Sequence, residues 1–193
     1  MSVLCFVGLT LLFAAAAYLR AKYMDDGFNA FVLIAFALAA GLVIACVDTL
    51  ATFSVCVVFA CVCACGATDV SSGYVYDVVT YPSFGILLLA SLYIGTLDST
   101  VMWAGASFAA VMLLAAVTRR RGLGLGDVKL FTVVGAGLGQ SFPEILGCSF
   151  VIGALVVGAG LVRRQIRFGQ TVPFAPFIAV ATIVCVAYER LFV

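Results

Sequence analysis

A chain of 193 residues that is 65% hydrophobic and only 10% charged falls well short of the about 25% charged residues of a soluble domain, so lipid is its solvent. A net charge of +1 leaves no basic stripe to neutralise phosphates and excludes a nucleic-acid partner. The absence of histidine removes the usual general base, the commonest metal ligand and any Ser-His-Asp triad.

Crossing the hydrocarbon core of a bilayer takes about 20 apolar residues. Segments of that kind occur, in chain order, at 2–19, 28–47, 50–68, 81–97, 101–118, 128–143, 145–162 and 172–188. The expected fold is all-α: a polytopic membrane helical bundle of about eight transmembrane helices. Two of these occupy residues 1–49, and a six-helix membrane domain occupies 50–193. The first segment lacks a basic stretch before it and a small-residue cleavage site after it, so it reads as a retained span and not a signal peptide. The fourth and sixth segments are the shortest or most interrupted.

Charge placement tests this count. With the N-terminus outside, Arg20 and Lys22 fall inside. So do Arg119, Arg120, Arg121 and Lys129, and so do Arg163, Arg164 and Arg167. Arg190 alone falls outside, which is the partition the positive-inside rule demands. Asp48, Asp98, Glu144 and Glu189 fall on the outer side. The same numbering puts Asp69, just after the third segment, and Asp127, just before the sixth, at one depth on the cytoplasmic side.

The eight cysteines all lie in apolar runs. Zinc sites want two pairs spaced C-x₂₋₄-C, and no such pair of pairs exists. Cys61, Cys63 and Cys65 alternate, which on a helix spreads them over different faces. They read as small packing residues.

Asp127 lies in the run Gly122-Leu123-Gly124-Leu125-Gly126-Asp127-Val128-Lys129. An acid at the edge of a bilayer is costly to keep and is a functional candidate by default. Two acids at one depth, without histidine, suit hydrolysis by a carboxylate pair. The ionised member takes a proton from water, and the protonated member polarises the scissile carbonyl. Gly124 and Gly126, without Cβ, would let the backbone adopt unusual φ and approach an extended substrate. Asp127 taken alone is also a good helix cap. Lys129 reads equally as a snorkelling interface residue and as a site residue.

Gly124-Leu125-Gly126-Asp127 matches the GxGD signature of intramembrane aspartyl proteases. Extended through Lys129 to Gly135-Ala136-Gly137-Leu138-Gly139, it resembles the type IV prepilin peptidase family. In that family a first aspartate ends a helix, followed by a cytoplasmic loop with Ile-Pro-Asn and then Thr-x-Pro. Asp69 fits the first position, and Thr80 and Pro82 fit the last. Pro173-Phe174-Ala175-Pro176-Phe177 resembles the family's C-terminal Pro-Phe-Gly-Pro. The resemblance spans roughly residues 50–188. Where the family has Ile-Pro-Asn, this chain has Val75-Tyr76-Asp77. Asp77 is therefore a rival for the first acid, but the place of Asp69 nearest the membrane favours Asp69.

The resemblance implies an aspartic endopeptidase of the bacterial inner membrane. It would remove the basic leader of a type IV prepilin or pseudopilin at the cytoplasmic face. Asp69 and Asp127 would be catalytic, and Gly124, Gly126 and Lys129 would position substrate, with no metal or other cofactor. Asp25, Asp26 and Asp77 are candidates to attract the basic leader. Long members of the family carry a domain with two zinc-binding CxxC pairs, associated with N-methylation. The loop at 20–27 is too short for it, so the chain resembles the short form. Two other classes fit the composition. A small secondary transporter or channel would hold its acid near the bilayer midplane, and a non-catalytic membrane protein of pilus or secretion assembly would not need its aspartates.

Overall fold

A computed structural model describes residues 51–118, 123–164 and 172–192. They form α1 (Ala51–Ser72), α2 (Asp77–Ile94), α3 (Leu97–Val117), α4 (Leu125–Leu138), α5 (Phe142–Val162) and α6 (Ala175–Phe192), with a 3₁₀ turn at Gly139–Ser141. Among the described residues there is no strand. The expected spans at 2–19 and 28–47 lie outside them. So do Cys5, Arg20, Lys22, Asp25, Asp26, Cys46, Asp48, Arg119, Arg120, Arg121, Gly122 and Arg167.

Each of the six later spans has its helix, with shifted ends. α1 runs on to Ser72, so Asp69 sits within its last turn and not beyond it. α2 begins at Asp77, four residues before the expected span, which puts Thr80 as well as Pro82 inside the helix. Stretches Phe53–Ser72, Asp77–Ile94, Leu97–Val117 and Leu125–Val162 are each long and apolar enough to cross a membrane. The chain is a polytopic membrane helical bundle.

The last of those stretches is not one rod. The rings of Phe131 and Phe142 have centroids 6.1 Å apart, whereas eleven residues of continuous helix would separate them by about 16 Å along the axis. Phe174 lies against both Phe131 and Phe150, at 6.4 and 5.3 Å. The chain therefore turns back sharply between α4 and α5. Gly139 makes the turn at φ 51°, and Pro143 opens α5, where its missing N–H costs no helical bond.

α1 and α4 form the centre. Val58, Phe59 and Val62 of α1 and Leu130, Phe131 and Val134 of α4 are fully enclosed. α1 packs against α2, α4 and α6, while α4 packs against α1, α2 and α3. Because α1 has partners on several sides, Cys61, Cys63 and Cys65 are all buried although they point in different directions. The outer helices expose Leu89, Leu92, Leu113, Val151 and Leu155, the apolar surface a bilayer would cover.

Small residues let the central helices approach. A Cβ at Gly135 would run into Ser107 and the Trp103 carbonyl of α3, and one at Gly137 into Val58 of α1. Gly135→Val is therefore expected to lower stability by at least the about 1–3 kcal/mol of core overpacking. A thermal melt in detergent reads this; an unchanged midpoint would contradict the close α3–α4 contact.

Candidate active site

The site gathers at one end of the bundle from four stretches: the end of α1, the connection 73–76, the start of α4 and the start of α6. α1 stops because Gly73 takes the left-handed conformation at φ 69°, and its N–H donates to the Asp69 carbonyl at 2.9 Å. Asp69 thus lies four residues from a fixed helix end, and it is only 7% exposed.

The Asp69 carboxylate is met by the start of α6. The Ala175 N–H donates to Asp69 Oδ2 at 3.0 Å, and the Phe174 N–H is a second backbone donor. Ala175 is the first residue of α6, so its N–H is one that the helix itself leaves unpaired. The helix dipole favours a negative group at the same place. Gly66, one turn before Asp69, admits this approach: a Cβ there would lie 3.4 Å from the Pro176 Cα. Pro176 stands in the first turn of α6, where proline is tolerated.

Asp127 is the third residue of α4, and its Oδ2 accepts from the N–H of the N-cap, Gly124, at 2.9 Å. This is half of a capping box, since glycine has no side chain to return the bond. The capping role of Asp127 is real and coexists with its place in the site. The residue is 8% exposed and lies within electrostatic reach of Asp69.

The two glycines act differently from expectation. Gly124 is extended, at φ −82° and ψ 162°, and neither it nor Gly126 has positive φ. Gly126 is instead required by packing: a Cβ there would lie 2.8 Å from the Val75 Cβ. The chain's own connection, not unusual φ, occupies the space that this glycine leaves.

Asp77 has another partner. Its Oδ1 lies 2.6 Å from Lys129 Nζ, and that ammonium stands 5.1 Å from the centre of the Tyr81 ring. Lys129 is therefore held between two residues of α2, and the charge of Asp77 is already matched within the chain. Asp77, a candidate to attract a basic segment, thus carries an ion pair and stays half exposed; Asp25 and Asp26 lie outside the described residues. Thr80 is buried, with its Oγ1 3.5 Å from the Asp77 carbonyl.

The structure thus places Asp69 and Asp127 at one end of the bundle, each nearly enclosed, and joins Asp77 to Lys129. Sequence reading missed the backbone donors of Phe174 and Ala175, and missed Val75. The signal for the former was a proline-bounded helix start, a cluster of unpaired N–H groups in need of an acceptor. Among the described residues, no three His, Cys, Asp or Glu side chains are grouped to hold a metal.

A membrane helical bundle with two buried carboxylates from separate helices at one end defines the class. Residues 56–162 match the Type IV leader peptidase family, a stretch that includes both aspartates, and the chain belongs to that family. It is similar to the prepilin leader peptidase/N-methyltransferase of Burkholderia pseudomallei (strain 1026b), 31% identical over 137 residues, or 67% of this chain and 43% of that protein. The protein of the same name from Bacillus subtilis (strain 168) is 36% identical over 105 residues, or 52% and 42% of the two chains. That from Pseudomonas putida is 44% identical over 71 residues, or 36% and 24%. The chain spans less than half the length of these relatives. No solved structure matches it.

The Val75–Gly126 contact makes a direct test. Gly126→Ala is expected to cost about 1–3 kcal/mol by overpacking, and Val75→Ala in the same chain to recover most of it. Melting of the single and double variants checks this, and loss without recovery would contradict the contact.

Proposed function

We propose that the chain is a membrane aspartic endopeptidase that cleaves the leader from a type IV prepilin or pseudopilin. The observation that carries this reading is the pairing of Asp69 and Asp127. They are two acids from separate central helices, at the same end of the bundle, nearly enclosed and each accepting from backbone N–H at a helix start.

In this reading the two carboxylates work as a pair that keeps one proton between its members. The ionised member draws a proton from water as it attacks the scissile carbonyl. The protonated member donates to the carbonyl oxygen as it becomes a tetrahedral diol. The proton then passes to the leaving amine, and the peptide bond breaks. Backbone N–H groups hold each carboxylate in place, so geometry is supplied before substrate arrives. The reaction calls for neither a metal nor a covalent intermediate.

The cut falls on the cytoplasmic side of the inner membrane. The supporting features are Lys129 at the same end of the bundle as the acids and Arg163 and Arg164 just past α5, the sign expected of cytoplasmic ends. The peptidase domain is the membrane bundle of residues 50–193. The substrate is a short basic leader joined to an apolar helix. A transporter is disfavoured because both acids sit at one end and not at mid-depth.

The test is leader cleavage of a co-expressed candidate prepilin in membranes. Asp69→Asn and Asp127→Asn are each expected to lose about 10²–10⁴-fold in rate, the scale of acid–base catalysis. Asp77→Asn is expected to stay within about fivefold, the scale of an exposed ion pair. Full cleavage by either of the first two variants would overturn the mechanism. A dead Asp77→Asn with an active Asp69→Asn would reassign the first acid.

A further inference from the structure

The acids of the pair sit on two stretches that touch at two successive points. The first stretch is 69–77: Asp69 near the end of α1, the connection 73–76, and Asp77 opening α2. The second is 124–129, around the start of α4. Gly73 fixes the beginning of the connection by its bond to the Asp69 carbonyl. Val75 rests on Gly126, one residue before Asp127. Asp77 then grips Lys129, two residues after Asp127, at 2.6 Å. The first acid and the second are thus linked through these contacts, and among the described residues the charged one is Asp77–Lys129.

We propose that Lys129 and Asp77 form a positioning tie that holds the connection 73–76 on Gly126 and so sets how Asp69 faces Asp127. This rests on the peptidase reading for its catalytic consequence, but the tie itself does not. Neither residue touches the reacting atoms; both act through Val75 and the two helix ends. Lys129 is further placed by the Tyr81 ring at 5.1 Å, which restricts the ammonium to the α2 side. The pair is 33% and 52% exposed. An exposed pair is weak and screened by salt, which suits a contact that lets the connection lift when a peptide strand must reach acids that are themselves only 7% and 8% exposed.

The buried alternatives are poorer. The cavity of about 380 Å³ at the opposite end, near Trp103 and Glu189, borders Ser54 at the start of the described chain, and nothing there indicates a ligand.

The experiment uses the full chain in native membranes, with Lys129→Met, Asp77→Asn and the charge swap Asp77→Lys/Lys129→Asp. Two readouts are taken. The first is steady-state cleavage of a peptide with a basic leader and an apolar segment. The second is the rate at which a maleimide modifies Val75→Cys, corrected for the same chain without that cysteine; this needs no activity. Each single variant is expected to lower kcat about two- to fivefold, the scale of an exposed ion pair, with KM nearly unchanged. Each should raise Val75→Cys modification by a similar factor, and the swap should restore both. Wild-type kcat should fall with added salt, and Lys129→Met should lose that dependence. Unchanged modification in Lys129→Met, or a swap that restores neither readout, overturns the tie. A chain that cleaves nothing while its modification rate still follows the pair contradicts the peptidase reading alone.

Discussion

Two carboxylates can stand inside an apolar bundle only if something polar comes with them. Here each is supplied with backbone N–H groups that a helix start cannot use itself. Ala175 and Phe174 at the start of α6 serve Asp69, and Gly124 at the start of α4 serves Asp127. An unmatched buried polar group costs a free energy comparable to a lost hydrogen bond or more, and a buried charge costs far more. The start of α6 and the acid near the end of α1 answer each other's need: orphan donors meet an orphan acceptor. Asp127 does the same within its own first turn. Removing either acid therefore disturbs a helix end as well as the chemistry, which is why asparagine, of the same shape, is the appropriate replacement.

The rest of the bundle keeps those ends in register. Gly66 lets the start of α6 lie on α1, Gly126 lets Val75 lie on α4, and Gly135 and Gly137 let α4 approach α3 and α1. Contacts of this kind leave little room to slide, because interiors are close-packed and a single added methyl group must displace a neighbour. α4, only 14 residues long, spans about 21 Å, less than the about 30 Å hydrocarbon core. Its surroundings compensate: it is enclosed by α1, α2 and α3, and the chain reverses directly after it at Gly139. The acid at its start is consequently held within the protein and not presented to lipid.

Much of this was legible in the residues. Apolar runs of membrane length gave the helices, because the bilayer forces backbone groups to pair within a segment. Charge asymmetry put Asp69 and Asp127 at one end, and the described helices carry both acids there. Helix ends were less legible. α1 continues past Asp69 because Gly73, and not the first acid after an apolar run, supplies the left-handed stop. α2 starts at Asp77 because an acid favours a first turn, and it carries Pro82 inside the helix. The glycines of the GxGD run were read for backbone freedom, yet Gly126 serves a packing contact with Val75. That contact links positions far apart in sequence, and no local pattern announces it. The same holds for Asp77 with Lys129, and for Ala175 with Asp69.

The central claim is that Asp69 and Asp127 act together on one carbonyl. The most direct test is binding of a leader peptide whose scissile amide is replaced by a hydroxyl-bearing tetrahedral isostere, compared with its deoxy counterpart. A pair that stabilises the tetrahedral diol should prefer the hydroxyl form in the wild type by about 10²-fold or more. That preference should vanish in both Asp69→Asn and Asp127→Asn while the deoxy peptide still binds. A preference that survives in either variant would contradict the shared use of the two acids.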